Sequence, residues 1–263
     1  SSQQLTLVDE GDRINFFGSG FSYELSGTQI IGIPTGTVTR MSITYDGATM
    51  LDWTGFRVSA NTMFTNIAMG NWTALNGLLF GTGDTIRMTA NDDAVRGFGG
   101  ADTIFGRGGR DALFGDAGHD KLWGDDSTRR QQGAADQLLG GRGDDTLIGG
   151  AGIDTLSGGV GEDVFAFVSR GARNRDVITD FNGRQDELHF DNDAFSAFSY
   201  TGQLRAKDFV LGRSAQDGAD RFIYQKSTGN LWYDADGSRS GNKVLVAELQ
   251  DGTTLSASDI FIL

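Results

Sequence analysis

Apolar positions change their period along this chain of 263 residues. Over 1–58 they alternate with polar ones in short runs, at 5–8, 13–17, 21–25, 29–33, 37–45 and 49–58, which predicts a series of strands. The clearest alternation sets Met41, Ile43 and Tyr45 against Ser42 and Thr44. Asp46-Gly47 follows, a pair favoured in the tight turn of a hairpin. Between 59 and 80 the spacing becomes helical. Met63, Phe64, Ile67 and Ala68, then Trp72, Leu75, Leu78 and Leu79, predict two short helices broken at Gly70-Asn71. From 79 to 166 a period of nine residues takes over. After Ala166 strand signals resume, with a hairpin over 221–234 that turns at 227–230, and runs at 244–249 and 260–263.

The nine-residue unit reads G-G-x-G-x-D-x-U-x, with U a large apolar residue. Copies begin at Gly97, Gly106, Gly115, Gly140, Gly149 and Gly158. Position six holds Asp102, Asp111, Asp120, Asp145, Asp154 and Asp163, and position eight holds Ile104, Leu113, Leu122, Leu147, Leu156 and Phe165. Two degenerate copies precede them in register, LFGTGDTIR with Asp84 and MTANDDAVR with Asp93. Another is split: it starts at Gly124-Asp125 and ends at Asp136-Gln137-Leu138-Leu139, with seven extra residues assigned as an insert at 127–133. A flexible Gly-Asp linker has no reason to keep Ile, Leu or Phe in phase at position eight.

Glycine-rich positions make a tight turn, and x-U-x makes a three-residue strand with only U facing inward. Nine residues are then half a coil and eighteen a full turn of a parallel β-roll. Stacked coils, about 4.8 Å apart, align the carboxylates in two columns. Odd copies bring together Asp84, Asp102, Asp120, Asp145 and Asp163; even copies bring together Asp93, Asp111, Asp136 and Asp154. Carboxylates this close repel unless a cation lies between them. Calcium suits the slot, being hard and taking six to eight oxygens from Asp and backbone carbonyls together. Turn carbonyls at positions one and three complete the candidate ligand set: Gly97, Gly99, Gly106, Gly108, Gly115, Ala117, Gly140, Arg142, Gly149, Ala151 and Gly158. Asp234 and Asp236, in D-x-D-G, are read either as a further calcium site or as an acidic turn; Leu245 stands where an EF-hand needs its Glu.

The nonapeptide resembles the RTX (repeats-in-toxin) repeat, a calcium-binding β-roll element. The segment 177–188, Val-Ile-Thr-Asp-Phe-Asn-Gly-Arg-Gln-Asp-Glu-Leu, is similar to the one that closes the roll in RTX proteases and lipases. The end, Ser258-Asp259-Ile260-Phe261-Ile262-Leu263, resembles a C-terminal type I secretion signal and reads equally as a last buried strand. The resemblance implies an all-β chain. Its parts are a β-rich module over 1–78 with short helices at about 59–79, a parallel β-roll over 79–166, and a C-terminal β cap over 167–263. It also implies several calcium ions, export through type I secretion machinery from a Gram-negative cell, and folding outside the cell when calcium binds.

Composition narrows the function. Net charge is −13, against nucleic acid or an anionic membrane as main partner. The chain has no cysteine, so neither a disulfide nor a thiolate metal site is available. No run reaches the ~18 apolar residues of a membrane span. No signal peptide is legible before a first residue that is Ser1 and not Met, as expected of a trimmed chain or of the secretion tail of a longer protein. H-E-x-x-H, G-x-S-x-G and P-loop motifs are missing, and His119 and His189 have no companion histidine nearby. The expectation is a non-enzymatic extracellular protein, acting at the cell surface or in the matrix by polysaccharide binding or self-association. A small polysaccharide-active enzyme with its site in 1–78 is the alternative. Position nine, expected to face outward, carries Phe105, Phe114, Trp123, Leu139 and Ile148. Either another part of the chain folds over these residues, or Phe105, Phe114 and Trp123 form a partner surface. The insert, with Arg129 and Arg130, is read as a tolerated loop or a contact to an acidic glycan.

Overall fold

The x-U-x triplets form strands that stack as two parallel ladders, one per half-coil. The computed structural model describes strand backbone within 3–59 and residues 81–125, 133–169, 174–237 and 243–263. The helices expected at about 59–79 lie outside these residues, apart from Ser59, which ends a strand. The insert at 127–133 also lies outside them, except for Gly133.

Six strands come first: β1 (Gln3–Asp9), β2 (Asp12–Ser22), β3 (Leu25–Ser26), β4 (Gln29–Ile30), β5 (Thr35–Tyr45) and β6 (Ala48–Ser59). β5 and β6 form the hairpin expected at 46–47, with Tyr45 opposite Ala48. β6 then pairs antiparallel with β7 (Thr85–Arg87), Trp53 opposite Ile86. The first strand of the roll therefore has no bare edge on this side, where an open row of backbone groups would invite aggregation.

The repeats supply β7, β8 (Ala94–Arg96), β9 (Thr103–Arg107), β10 (Ala112–Ala117), β11 (Lys121–Asp125), β12 (Gln137–Arg142), β13 (Thr146–Ile148), β14 (Thr155–Val160) and β15 (Val164–Phe167). Odd and even strands fall in different sheets. In the odd sheet Ile86, Ile104, Leu122, Leu147 and Phe165 stand in register. Val95, Leu113, Leu138 and Leu156 do so in the even sheet. All of these except Val95 are fully buried, so the two columns face each other as the core. Each buried Leu or Ile is worth about 1.5–3 kcal/mol.

Both ladders continue beyond Ala166. β16 (Asp176–Ile178) adds to the even one and β17 (Glu187–Phe190) to the odd one, both parallel. β18 (Gly202–Gln203), β19 (Phe209–Leu211), β20 (Phe222–Gln225), β21 (Asn230–Tyr233), β22 (Val244–Glu248) and β23 (Ile260–Ile262) complete the sheets. β20 and β21 are the hairpin expected over 221–234. β23 lies parallel to β17 with Ile260 and Ile262 buried, so the segment resembling a secretion signal is also a core strand. The far end is closed by an aromatic cluster of Phe167, Phe190, Phe195, Phe198, Phe222 and Tyr233.

Candidate metal centre

The Asp at position six of each turn is tied to the next coil through the backbone. In the odd column Asp84 N–H donates to Asp102 Oδ1 (2.7 Å), Asp102 to Asp120 (2.8 Å), Asp120 to Asp145 (2.8 Å) and Asp145 to Asp163 (2.9 Å). In the even column Asp93 donates to Asp111 (2.9 Å), Asp111 to Asp136 (2.8 Å) and Asp136 to Asp154 (2.9 Å). The two columns expected from the repeat are thus assembled, and Asp136 keeps its place despite the split repeat.

One oxygen of each interior carboxylate is left over. Oδ2 of Asp102, Asp111, Asp120, Asp136, Asp145 and Asp154 is buried and has no hydrogen-bond partner. Each lies beside the position-one glycine of its own repeat. A methyl group on Gly97, Gly106, Gly115, Gly124 or Gly140 would strike this Oδ2 and crowd the carbonyl oxygen of Gly115, Gly124, Gly140, Gly149 or Gly158, one coil on. Gly149 and Gly158 sit in the same way against Asp154 and Asp163. None of these glycines has positive φ; they are needed for space. At position two the backbone itself is left-handed, yet Phe98 (φ 68°), Arg107 (φ 83°) and Asp116 (φ 72°) stand where later coils have Gly141, Gly150 and Gly159. Carbonyls at position three join the coils. Ala117 accepts from Gly100 N–H (2.9 Å) and Arg142 from Gly118 N–H (2.8 Å), and each keeps a second lone pair.

Buried anionic oxygens without donors are costly unless something positive meets them. The donor set here is all oxygen: carboxylate Oδ2 atoms and turn carbonyls. Among the described residues no three His, Asp or Glu side chains gather at one point, so backbone carbonyls must make up the coordination. That chemistry fits calcium and does not fit metals that favour nitrogen or sulfur.

Burial, partly offset by the backbone N–H, raises these carboxyls from 3.8 to about 7 in Asp102 and Asp145, about 8 in Asp136, and about 6 in Asp111, Asp154 and Asp163. Because the folded value lies above the unfolded one, the stability this contributes is complete below pH ~4 and disappears as pH climbs through 6 to 8. Without calcium the roll is therefore expected to be better folded at pH 5 than at pH 8. Calcium should release protons and bind more tightly as pH rises. Circular dichroism of chelator-treated protein across this range checks the sign, and greater order at pH 8 would contradict it.

A family model described as the RTX calcium-binding nonapeptide repeat, in four copies, matches residues 89–127 and 132–165, the segments that carry the columns. These segments are RTX repeats. They are a calcium-binding structural element and not a catalytic one. A solved structure that matches the chain is the solution structure of the AlgE6R3 subunit from the Azotobacter vinelandii mannuronan C5-epimerase. It is 29% identical, with 66% of this chain and 80% of that chain covered and a TM-score of 0.34. No curated protein matched the sequence.

Beyond the matched repeats the columns gain two members, Asp176 and Asp186. Asp154 N–H donates to Asp176 Oδ1 (3.2 Å) and Asp163 N–H to Asp186 Oδ1 (3.1 Å). Each precedes an apolar residue by two places, Ile178 and Leu188, the same D-x-U signature as the RTX repeats. Their separations of 22 and 23 residues, in place of 18, put them out of phase with the period. Asp234 is buried, and its Oδ1 accepts from the N–H groups of Asp236 (3.2 Å) and Gly237 (3.0 Å), the pattern of an acidic turn. His119 is exposed and accepts from Asp144 N–H (2.9 Å); His189 contacts Glu187 (2.7 Å).

The outer faces of the roll are uneven. Phe105 and Trp123 stack across adjacent coils with ring centres 6.3 Å apart and 19° between planes. Arg87 lies 4.9 Å from the Phe105 ring and Lys121 5.3 Å from the Trp123 ring. Arg87, Phe105, Arg107 and Asp125 line a cleft. On the even face Phe114 stands opposite Leu139, with Arg96 over its ring and bound to Asp116. Ile148, expected to point outward like these, is instead buried; two residues on, the Gly150 carbonyl accepts from Ser169 Oγ–H (2.7 Å). Among the described residues no helix is long and apolar enough to cross a membrane.

Proposed function

We propose that this chain is an extracellular protein whose roll is folded by calcium after export through type I secretion machinery, and which then works at the cell surface or in the matrix. The observation that carries the reading is the pair of carboxylate columns, in which one buried oxygen per interior Asp has no partner. In this reading Asp102, Asp111, Asp120, Asp136, Asp145, Asp154 and Asp163 bind calcium with the position-one carbonyls, and position-three carbonyls assist. At cytosolic calcium the columns repel and the roll stays open. Outside, where modules of this kind bind with Kd of about 10⁻⁴–10⁻³ M, binding supplies part of the folding free energy. The test is a calcium titration of chelator-treated protein, followed by circular dichroism and calorimetry. A cooperative gain of β signal in the sub-millimolar to millimolar range is expected, and identical spectra with and without calcium would overturn the reading.

The stacked Phe105 and Trp123, flanked by Arg87 and Lys121, support an acidic polysaccharide as the partner, because flat rings stack on sugars and the cations complement uronate or sulfate groups. Retention on acidic and neutral polysaccharides, in calcium and then in chelator, separates the outcomes. Calcium-dependent retention with intact polymer supports this partner. Shortened polymer supports an enzyme in 1–78, and no retention leaves self-association or a secretion tail.

A further inference from the structure

The two columns do not end as they run. In the interior each Asp leaves Oδ2 without a donor, and each repeat has glycine at position one. At two ends both features change together. In the repeat of Asp93, the first described one of the even column, position one is Met88 in place of glycine. Asp93 Oδ2 is met by its own turn, accepting from Thr89 N–H (2.9 Å) and from Thr89 Oγ1–H (2.7 Å). At the C-terminal end of the odd column Asp180 follows β16 in the place of the position-one glycine. Its carboxylate accepts from Gly158 N–H (3.0 Å), Gly159 N–H (2.9 Å) and Ser157 Oγ–H (2.7 Å). Asp186 Oδ2 then accepts from Asn182 N–H (2.8 Å) while Oδ1 holds Asp163 N–H. Both oxygens of this last Asp are used.

We propose that Thr89 and Asn182 are stoppers for the cation columns, each placing a protein donor on the carboxylate oxygen that interior coils leave for calcium. This rests on the calcium reading above. An ion at the end of a column has a turn on only one side and so about half the ligands of an interior one. A donor from the chain satisfies the end carboxylate without it. The open slots of the interior are then those beside Oδ2 of Asp102, Asp120 and Asp145 in the odd column and of Asp111, Asp136 and Asp154 in the even one. Asp93 and Asp186, although both stand in the columns, bind no ion through Oδ2. Their turns stay hydrogen-bonded when calcium is removed, so each end keeps a formed coil on which the next ion completes its site.

The deciding experiment is crystallisation of the whole chain with terbium in place of calcium, with the ions located by their anomalous scattering. Peaks are expected beside Oδ2 of Asp111, Asp136, Asp154, Asp102, Asp120 and Asp145, and none beside Oδ2 of Asp93 or Asp186. A peak at either of those two overturns the stopper proposal and leaves the calcium reading intact. Absence of peaks at all positions removes the calcium reading and the proposal with it. Native mass spectrometry in calcium gives the same decision in solution. Asp111→Asn should lose at least one ion relative to wild type and Asp93→Asn none, and an ion lost from Asp93→Asn counts against the proposal.

Discussion

Gly140→Ala is expected to be among the most damaging single-methyl changes available in the roll. The added Cβ would strike Asp145 Oδ2 and lie 2.7 Å from the Gly158 carbonyl oxygen, two groups in the same candidate slot. Neither can retreat easily. Asp145 is held through Oδ1 by Asp120 N–H, and its own N–H is held by Asp163. Overpacking costs typically 1–3 kcal/mol, and a loss of about 3 kcal/mol is expected here at saturating calcium, together with a higher calcium midpoint. The backbone gives no compensating reason for the glycine, since its φ is not positive. Gly218→Ala is the control: nothing lies within 4 Å of its added Cβ, so a change within about 0.5 kcal/mol is expected. Urea unfolding in calcium, followed by circular dichroism, measures both. Equal stability of Gly140→Ala and wild type would show that the slot is wider than described.

The second large effect belongs to the aromatic end. Phe190 is fully buried and touches Phe167 (ring centres 4.7 Å, nearly parallel), Phe195 (4.9 Å, edge-on) and Phe222 (4.5 Å). Through Phe222 it joins the odd sheet, where β17 runs, to the sheet that contains β20. Phe190→Ala removes these contacts and leaves a cavity, for an expected loss of about 3–5 kcal/mol. Leu211→Ala, at 58% exposure, is expected to change stability by less than about 0.5 kcal/mol. A loss near 1 kcal/mol in Phe190→Ala would mean that the cluster closes over the gap. The two variants should also differ in kind: Gly140→Ala shifts the calcium midpoint directly, whereas Phe190→Ala acts first on stability in denaturant.

Most of the candidate site is legible in the repeat alone. Asp102 and Ile104 are two residues apart, and a strand puts both on the inner side whatever surrounds it. The nine-residue return of that pair is enough to stack them into columns. Asp176 and Asp186 escape the period because the turns before them are longer, although Val177-Ile178 and Glu187-Leu188 keep the local signature. Ile148 reads as outward-facing from its place in the repeat, and strand alternation says nothing about what the rest of the fold brings against it. The roles of Met88 and Asp180 are out of reach for another reason. A departure from glycine at position one looks like decay of the repeat until the donors that reach the carboxylate of that turn are located.

The coil, its two columns of carboxylates and its two columns of apolar side chains are all legible in the repeat. All four follow from local rules, the reach of a short turn and the alternation of a strand, repeated every nine residues. Long-range packing alone decides which oxygen of each interior Asp is left without a donor, where the columns stop, and that β23 docks beside β17, far apart as they are along the chain. Those outcomes depend on backbone groups a full coil or more away, and a local period carries no information about which distant N–H will arrive.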